Sequence, residues 1–163
     1  MRIVDAGCGY GRNLVYLLNE GYEVFGVDQD PDAIASLPPG NFRVEPIERM
    51  SFPDNFADVV IANAVLHFAR DDEHFLAMLH SMWRVLKPGG LLFSRLASSI
   101  GIEKQISQIA GRRFHLPDGS DRYLVDEGYL CRLTTELGGA LLDPLKTTVV
   151  QNQRSMTTWV VRK

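Results

Sequence analysis

Three glycines alternate near the start of the chain, in Asp5-Ala6-Gly7-Cys8-Gly9-Tyr10-Gly11, directly after the apolar pair Ile3-Val4. Glycine tolerates positive φ and has no Cβ to hold a ligand off. Such a loop therefore lets backbone N–H and C=O groups approach a bound molecule. Asp28 closes a second apolar run, Val24-Phe25-Gly26-Val27, 21 positions after Gly7. A carboxylate about 20 residues beyond a glycine loop is placed to accept the hydroxyls of a ribose. His67 follows a third run, Ala57–Ala62, and is the one histidine near the expected reacting end of that site. A side chain that titrates near neutrality is a candidate general base there. Packing the turn, or binding a backbone carbonyl, is the commoner role of such a histidine. His74, His80 and His115 have no ligand-like spacing, and two cysteines are too few for a cluster, so no metal is expected. Cys8, between glycines, reads as a small buried residue rather than a nucleophile.

The elements that must position these residues alternate along the chain. The loop leads into an amphipathic helix over Arg12–Asn19, which stops at Gly21. A strand follows over Tyr22–Val27, then a short helix over Ala33–Leu37, opened by Asp30-Pro31-Asp32. Asn41–Glu45 and the apolar Ala57–Ala62 are strands, the second with the character of a central parallel strand. Asp71–Leu86 carries Phe75, Leu76, Leu79, Met82, Trp83 and Leu86 at helical spacing. Its first turn is acidic, and Lys87-Pro88-Gly89-Gly90 ends it. Leu91–Leu96 is a fifth strand. Ser98–Ser120 is polar and irregular, and Asp126–Leu137 is helical. Leu145–Val150 and Met156–Val161 are joined by a loop short enough to make them an antiparallel hairpin. The fold class is α/β: one domain, 1–163, with a Rossmann-like doubly wound sheet of about seven strands. The sheet is mostly parallel, has helices on both faces, and carries the antiparallel hairpin at one edge.

Asp5-x-Gly7-Cys8-Gly9-x-Gly11, with the acid at position 28, resembles the first motif of the class I S-adenosylmethionine-dependent methyltransferases. Arg12 stands where the G-x-G-x-x-G fingerprint of NAD and FAD enzymes has its third glycine. Ser51–His67 and Arg84-Val85-Leu86-Lys87-Pro88-Gly89-Gly90 are similar to two further family segments, and the terminal hairpin to its reversed last strand. Gly7–Asn13 and Trp159–Lys163 further resemble the small tellurite-resistance-type branch. The resemblance implies S-adenosyl-L-methionine as cofactor and S-adenosyl-L-homocysteine as product. It places Asp5, Ala6, Gly7, Cys8 and Gly9 at the cofactor, with Gly7 facing the methionine end and Asp5 holding the loop. It puts Asp28 on the ribose, Gln29 beside the adenine, Ile47 over the adenine face, and Asn63 and Ala64 where the fourth strand ends. Pro46 stands where the family usually has an acid for the adenine amino group, which leaves Glu45 or Glu48 to replace it. Family members usually carry one or two helices before the first strand. This sequence begins at that strand, so the lid is expected to be absent, supplied by another subunit, or missing from the sequence.

Composition narrows the function. The chain is 45% hydrophobic and 23% charged, with net charge −3, so a basic nucleic-acid surface is not expected. Asn63-Ala64-Val65-Leu66 lacks the Asn-Pro-Pro-aromatic run of enzymes that methylate flipped bases. No apolar run approaches the roughly 20 residues of a membrane span, and a cytoplasmic setting is expected. The expected activity is methyl transfer to a small-molecule acceptor, with a homodimer among the expected assemblies. The alternatives are a lid-deficient module that binds S-adenosylmethionine without turnover and, behind it, an NAD-dependent Rossmann enzyme. Arg112, Arg113, Arg122 and Tyr123 are placed to bind an anionic acceptor, although exposed arginines are commonly just solvated.

Overall fold

The apolar run before the glycines forms β1 (Arg2–Ala6), an interior strand of the main sheet in the computed structural model, which describes residues 1–163. Along the chain follow α1 (Leu14–Asn19), β2 (Glu23–Asp28), α2 (Pro31–Ala35), β3 (Asn41–Val44) and β4 (Ala57–Asn63). Then come α3 (Asp72–Val85), β5 (Leu86–Ala97), β6 (Ser107–Ala110), β7 (Arg113–His115), β8 (Asp121–Tyr123) and α4 (Glu127–Glu136). β9 (Ala140–Leu141), β10 (Lys146–Val150) and β11 (Arg154–Arg162) complete the chain. Two 3-10 turns, Ile47–Arg49 and Leu66–Phe68, lie at the carboxyl ends of β3 and β4.

The sheet order is β10-β11-β5-β4-β1-β2-β3, and the short β9 pairs with β11. β3, β2, β1, β4 and β5 are parallel; β11 runs antiparallel to β5, and β10 to β11. The expected sheet, with its hairpin at one edge, is the observed one. From β1 the chain winds outward to β2 and β3, then returns to β4 on the other side. The order therefore reverses between β1 and β4. The carboxyl ends of the strands at such a reversal leave a crevice that parallel sheets use for ligands.

α3 follows from its sequence closely. Phe75, Met78, Leu79, Met82 and Val85 are buried on one stripe; burying each such side chain contributes roughly 1.5–3 kcal/mol. Asp71 caps the N-terminus by accepting from the His74 N–H at 2.8 Å. At the other end the Lys163 ammonium donates to the carbonyls of Trp83 and Leu86, both at 2.7 Å, satisfying acceptors that a helix end leaves open. Across the sheet a smaller core of Cys8, Leu14 and Val24 packs with Ile34 and Phe42 beneath α1 and α2. No helix is long and apolar enough to cross a membrane.

The boundaries depart from expectation at informative places. α1 begins at Leu14 rather than Arg12 because the Asn13 side chain turns back to Asp5. β5 begins at Leu86, with the chain passing straight from α3 into extended backbone. Register jumps from Ala57↔Leu86 to Val59↔Leu91, so Lys87–Gly90 bulge out of the ladder. The polar segment after β5 is not irregular: β6, β7 and β8 form a separate antiparallel sheet. Its strands are three or four residues long and largely exposed, so they carry no period-2 apolar pattern. They are held by a small core of Ala97, Leu116 and Leu124. Tyr123 anchors that sheet to the main body. Its ring stacks on Phe75 at 4.7 Å, and its hydroxyl donates to Asp72 at 2.7 Å and lies 3.1 Å from that of Tyr129.

Candidate active site

A cleft of about 500 Å³ opens at the carboxyl ends of β1, β2 and β4, lined by Gly7, Asp28, Gln29, Ile47 and Ala64 among others. Five of the ten residues expected at a cofactor therefore meet at one place. The others sit around it. Ala6 is buried beneath the loop. The Cys8 side chain points to the opposite side, into the core with Leu14 and Val24. Burial first, then the charges of Asp5 and Asp28, push its thiol up to about 12, which excludes a thiolate nucleophile at neutral pH.

The glycine loop is folded inward on its N–H groups. Gly7 and Cys8 both donate to the Val27 carbonyl, at 2.8 and 3.0 Å, and Gly11 donates to the Cys8 carbonyl at 2.9 Å. The Gly9 N–H donates to Asp28 Oδ2 at 2.9 Å, while the Asp30 N–H donates to Asp28 Oδ1 at 3.0 Å. Four glycine-loop donors are thus engaged within the protein. A pyrophosphate cradle needs such donors free. With its donors engaged, this loop offers a ligand close approach at a glycine in place of a row of free N–H groups. Gly7 is the point of approach. It has φ +81°, and a Cβ there would lie 2.5 and 2.9 Å from the two γ-carbons of Val65 and 3.3 Å from Ile47 Cδ1.

Beneath the loop lies a polar line. Asn63 Nδ2 donates to Asn13 Oδ1, and Asn13 Nδ2 to Asp5 Oδ2, both at 3.3 Å. Asp5 Oδ1 and Asn63 Oδ1 are buried with no partner. Two orphaned acceptors beside a ligand cleft call for a donor. Asp5 is fully buried. That desolvation, only partly opposed by the Asn13 hydrogen bond and reinforced by the Asp28 charge, pushes its carboxyl up to about 7. Asp5 reaches the far end of the loop through Asn13; the Gly9 end is held by Asp28, a division of labour absent from the sequence reading.

A pH effect on stability follows. An unfolded Asp titrates near 3.9, so between about pH 4 and 7 the folded chain binds the extra proton. The Asp5 contribution to stability then falls as pH rises through that window and levels off above it, by about 4 kcal/mol in all. The buried neutral His67 contributes in the opposite direction between about pH 4 and 6.5, so the effect is read as a difference: the melting temperature of the wild type relative to Asp5→Asn should fall between pH 4 and 7. An equal slope in both proteins would show that Asp5 is ionised throughout.

The remaining lining residues were not read from the sequence. Val65, Phe68, Arg70, His74 and Met78 come from the turn after β4 and the start of α3, which folds back over the cleft. The i, i+4 spacing of His74 and Met78 is the one signal that places them on a common face. Glu45, one replacement considered for the acid missing at Pro46, is engaged with the N–H and hydroxyl of Ser51. Glu48, the other, lines the cleft, 3.5 Å from His74 Nε2.

His67 is buried, and the Ala97 N–H donates to its Nδ1 at 3.2 Å. Desolvation, with the nearby Arg122 and Arg95 charges, pushes its pKa down to about 4. At neutral pH the ring is neutral, with Nδ1 occupied and the proton on Nε2. In that form Nε2 is a hydrogen-bond donor.

Residues 4–94, more than half of the chain, match a family model described as a methyltransferase domain. The chain belongs to the class I S-adenosylmethionine-dependent methyltransferases. It is 29% identical over 109 residues to the putative methyltransferase YqeM of Bacillus subtilis, an alignment covering 62% of this chain and 44% of that protein. It is 33% identical over 97 residues to the trans-aconitate 2-methyltransferase of Variovorax paradoxus, covering 56% and 36%. The chain thus aligns with about half or less of the length of these curated relatives. Among solved structures, an S-adenosylmethionine-dependent methyltransferase from Methanosarcina mazei superposes with a TM-score of 0.84 at 22% identity, over 99% of this chain and 92% of that one. The 1,6-didemethyltoxoflavin-N1-methyltransferase of Burkholderia thailandensis, solved with its substrate and S-adenosylhomocysteine, gives 0.74 at 20% identity over 99% and 70%. At these identities the structures establish the fold of the methyltransferase domain.

Proposed function

We propose that this methyltransferase domain binds S-adenosylmethionine in the cleft between Gly7, Asp28 and Ile47 and transfers its methyl group to a small-molecule acceptor. The observation that carries the reading is the hydrogen-bond account of the glycine loop: its donors are engaged, Gly7 is open to close approach, and a carboxylate stands at the end of β2. Each Asp28 oxygen has one backbone N–H and retains acceptor capacity for the two ribose hydroxyls. Ile47 and Met78 supply apolar surface for the adenine, and Glu48 an acceptor for its amino group. The buried, unpartnered oxygens of Asp5 and Asn63, beneath the loop, are the acceptors this reading assigns to the ammonium end.

Bound donor supplies a methyl carbon already activated by a positive sulfur, so the protein's task is alignment of the nucleophile at roughly 3–3.5 Å. Ala64 marks the reacting end. It holds a left-handed φ of +63°, its N–H donates to the Arg95 carbonyl at 2.8 Å, and it is the one residue lining both principal cavities. Strained backbone of this kind collects at functional sites.

A thermal-shift comparison tests the reading. S-adenosylhomocysteine should raise the melting temperature by several degrees, as expected of ligand at about 100 times its Kd, and NADH should leave it unchanged. Stabilisation by NADH alone would assign the cleft to a dinucleotide.

A further inference from the structure

Beyond Ala64 lies a second cavity of about 380 Å³, into which four arginines converge from distant parts of the chain: Arg12, Arg95, Arg122 and Arg154. None of the four guanidiniums is ion-paired; the salt bridges of the molecule use Arg2, Arg84, Arg112 and Arg132 instead. Arg122 donates to the Asp121 carbonyl and lies over the Phe68 ring at 4.8 Å, which fixes its direction. The cavity holds one carboxylate, Asp118, and its Oδ1 is already engaged by the N–H and hydroxyl of Ser120. Four cations against one anion leave a net +3 at neutral pH in a chain whose overall charge is −3. Arg95 and Arg122 are half-buried and Arg12 and Arg154 exposed at the cavity's edge; the planar forks of unpaired guanidiniums match carboxylates.

We infer that this cavity is the acceptor site, and that the acceptor is a small acid with two or more carboxylates, methylated on a carboxylate oxygen. The inference rests on the donor occupying the neighbouring cleft as proposed above. The lack of an effective base selects the nucleophile. The ionisable groups lining the cavity are the four arginines, Asp118 and His67, and the His67 ring is a neutral donor with Nδ1 engaged by Ala97. The one group with a free lone pair is Asp118, and its hydrogen bond from Ser120, with the Arg122 and Arg154 charges, holds its carboxyl below the usual carboxylate range, which makes it a weak base for an alcohol, amine or thiol arriving protonated. A carboxylate needs none. An oxygen lone pair forms the new C–O bond to the methyl carbon, and the carbon–sulfur bond breaks with its electron pair passing to sulfur. The products are a methyl ester and a neutral thioether, with no proton released. Two or three guanidiniums hold the other carboxylates while one oxygen is directed toward Ala64.

Calorimetry on protein saturated with S-adenosylhomocysteine tests this, with citrate, tricarballylate and succinate as titrants. Tricarballylamide serves as the uncharged isostere and inorganic phosphate as the competing anion. In parallel, label from S-adenosylmethionine is followed into base-labile ester. At least one polycarboxylate should bind and gain label, and the amide should do neither. Arg95→Gln and Arg154→Gln should each weaken binding of the acid about tenfold or more, with S-adenosylhomocysteine affinity within about twofold of wild type. Binding of the amide as tightly as the acid, binding of phosphate alone, wild-type acid affinity in both variants, or no acid bound at all would overturn the acceptor assignment while leaving the donor site standing. Failure of S-adenosylhomocysteine itself to bind would remove both.

Discussion

Gly7→Ala is expected to abolish measurable binding of S-adenosylhomocysteine and to lower the melting temperature. The added Cβ overlaps a wall of the cleft, 2.5 and 2.9 Å from the Val65 γ-carbons and 3.3 Å from Ile47 Cδ1. Val65 and Ile47 are two walls of the same cavity, so the methyl group closes it from beneath. The backbone adds to this, because φ +81° costs a residue with a Cβ roughly 1–2 kcal/mol. The loop cannot relax easily: the Gly7 N–H is bound to Val27. A loss of affinity of about 100-fold or more corresponds to about 2.8 kcal/mol. The companion Gly7→Ala/Val65→Ala removes the clash with Val65 but leaves the Cβ beside the ligand. It should recover part of the melting temperature and little of the affinity. Wild-type affinity in Gly7→Ala by calorimetry would mean that the ligand does not approach the loop at Gly7.

The second large effect is expected at Asp28. Its carboxylate serves the protein and the ligand together, holding the Gly9 and Asp30 N–H groups at 2.9 and 3.0 Å while bordering the cleft. Asp28→Ala therefore removes two acceptors for ribose and releases the middle of the glycine loop. Hydrogen bonds to a charged group contribute about 1.5–3 kcal/mol each, so affinity for S-adenosylhomocysteine should fall by about 100-fold or more. The cost in stability should stay near 1–2 kcal/mol, since the side chain is only half-buried and water can reach the freed N–H groups. Adenine alone, which does not use this carboxylate, should lose much less affinity than the nucleoside. Equal losses for both would show that the effect is collapse of the loop and that no ribose sits at Asp28.

The legible parts of this molecule are those whose cause is local. The Asp71–Leu86 stripe appears as α3 within a residue at each end, because its cap and its period lie in the segment itself. The glycine triplet and Asp28 could be paired because their separation is fixed by one βαβ unit. What the loop does with its hydrogen bonds was not legible. It depends on the Val27 carbonyl and on the orientation of Asp28, and only the assembled β1–β2 pair decides that the loop's donors are engaged within the protein. His67 illustrates the same limit. Its position suggested a base, yet its state is set by Ala97, 30 residues away, and by Arg95 and Arg122.

The arginines show the gap most plainly. Reading along the chain drew attention to Arg112 and Arg113, which are adjacent, and to Arg122. In the fold Arg112 is bound to Asp126 at 2.9 Å and stacked 3.8 Å over Tyr129, and of the three only Arg122 lines the second cavity. Tyr123, expected beside an acceptor, is instead buried in the anchor between β8, α3 and α4. The arginines that do converge come from the glycine loop, β5, β8 and the first residue of β11, and no spacing in the sequence relates them. The small β6–β8 sheet that carries Arg122 was equally hidden, since its strands are short and solvated.

The cleft at the carboxyl ends of β1, β2 and β4 is the centre of the account, and a crystal structure of the protein with S-adenosylhomocysteine tests it most directly. The ribose hydroxyls should lie within hydrogen-bond distance of the Asp28 carboxylate, with the adenine against Ile47, the ammonium beside the loop at Gly7, and the sulfur turned toward Ala64 and the arginine cavity. A nucleoside bound outside this cleft, or seated in it with its sulfur turned away from Ala64, would contradict the account.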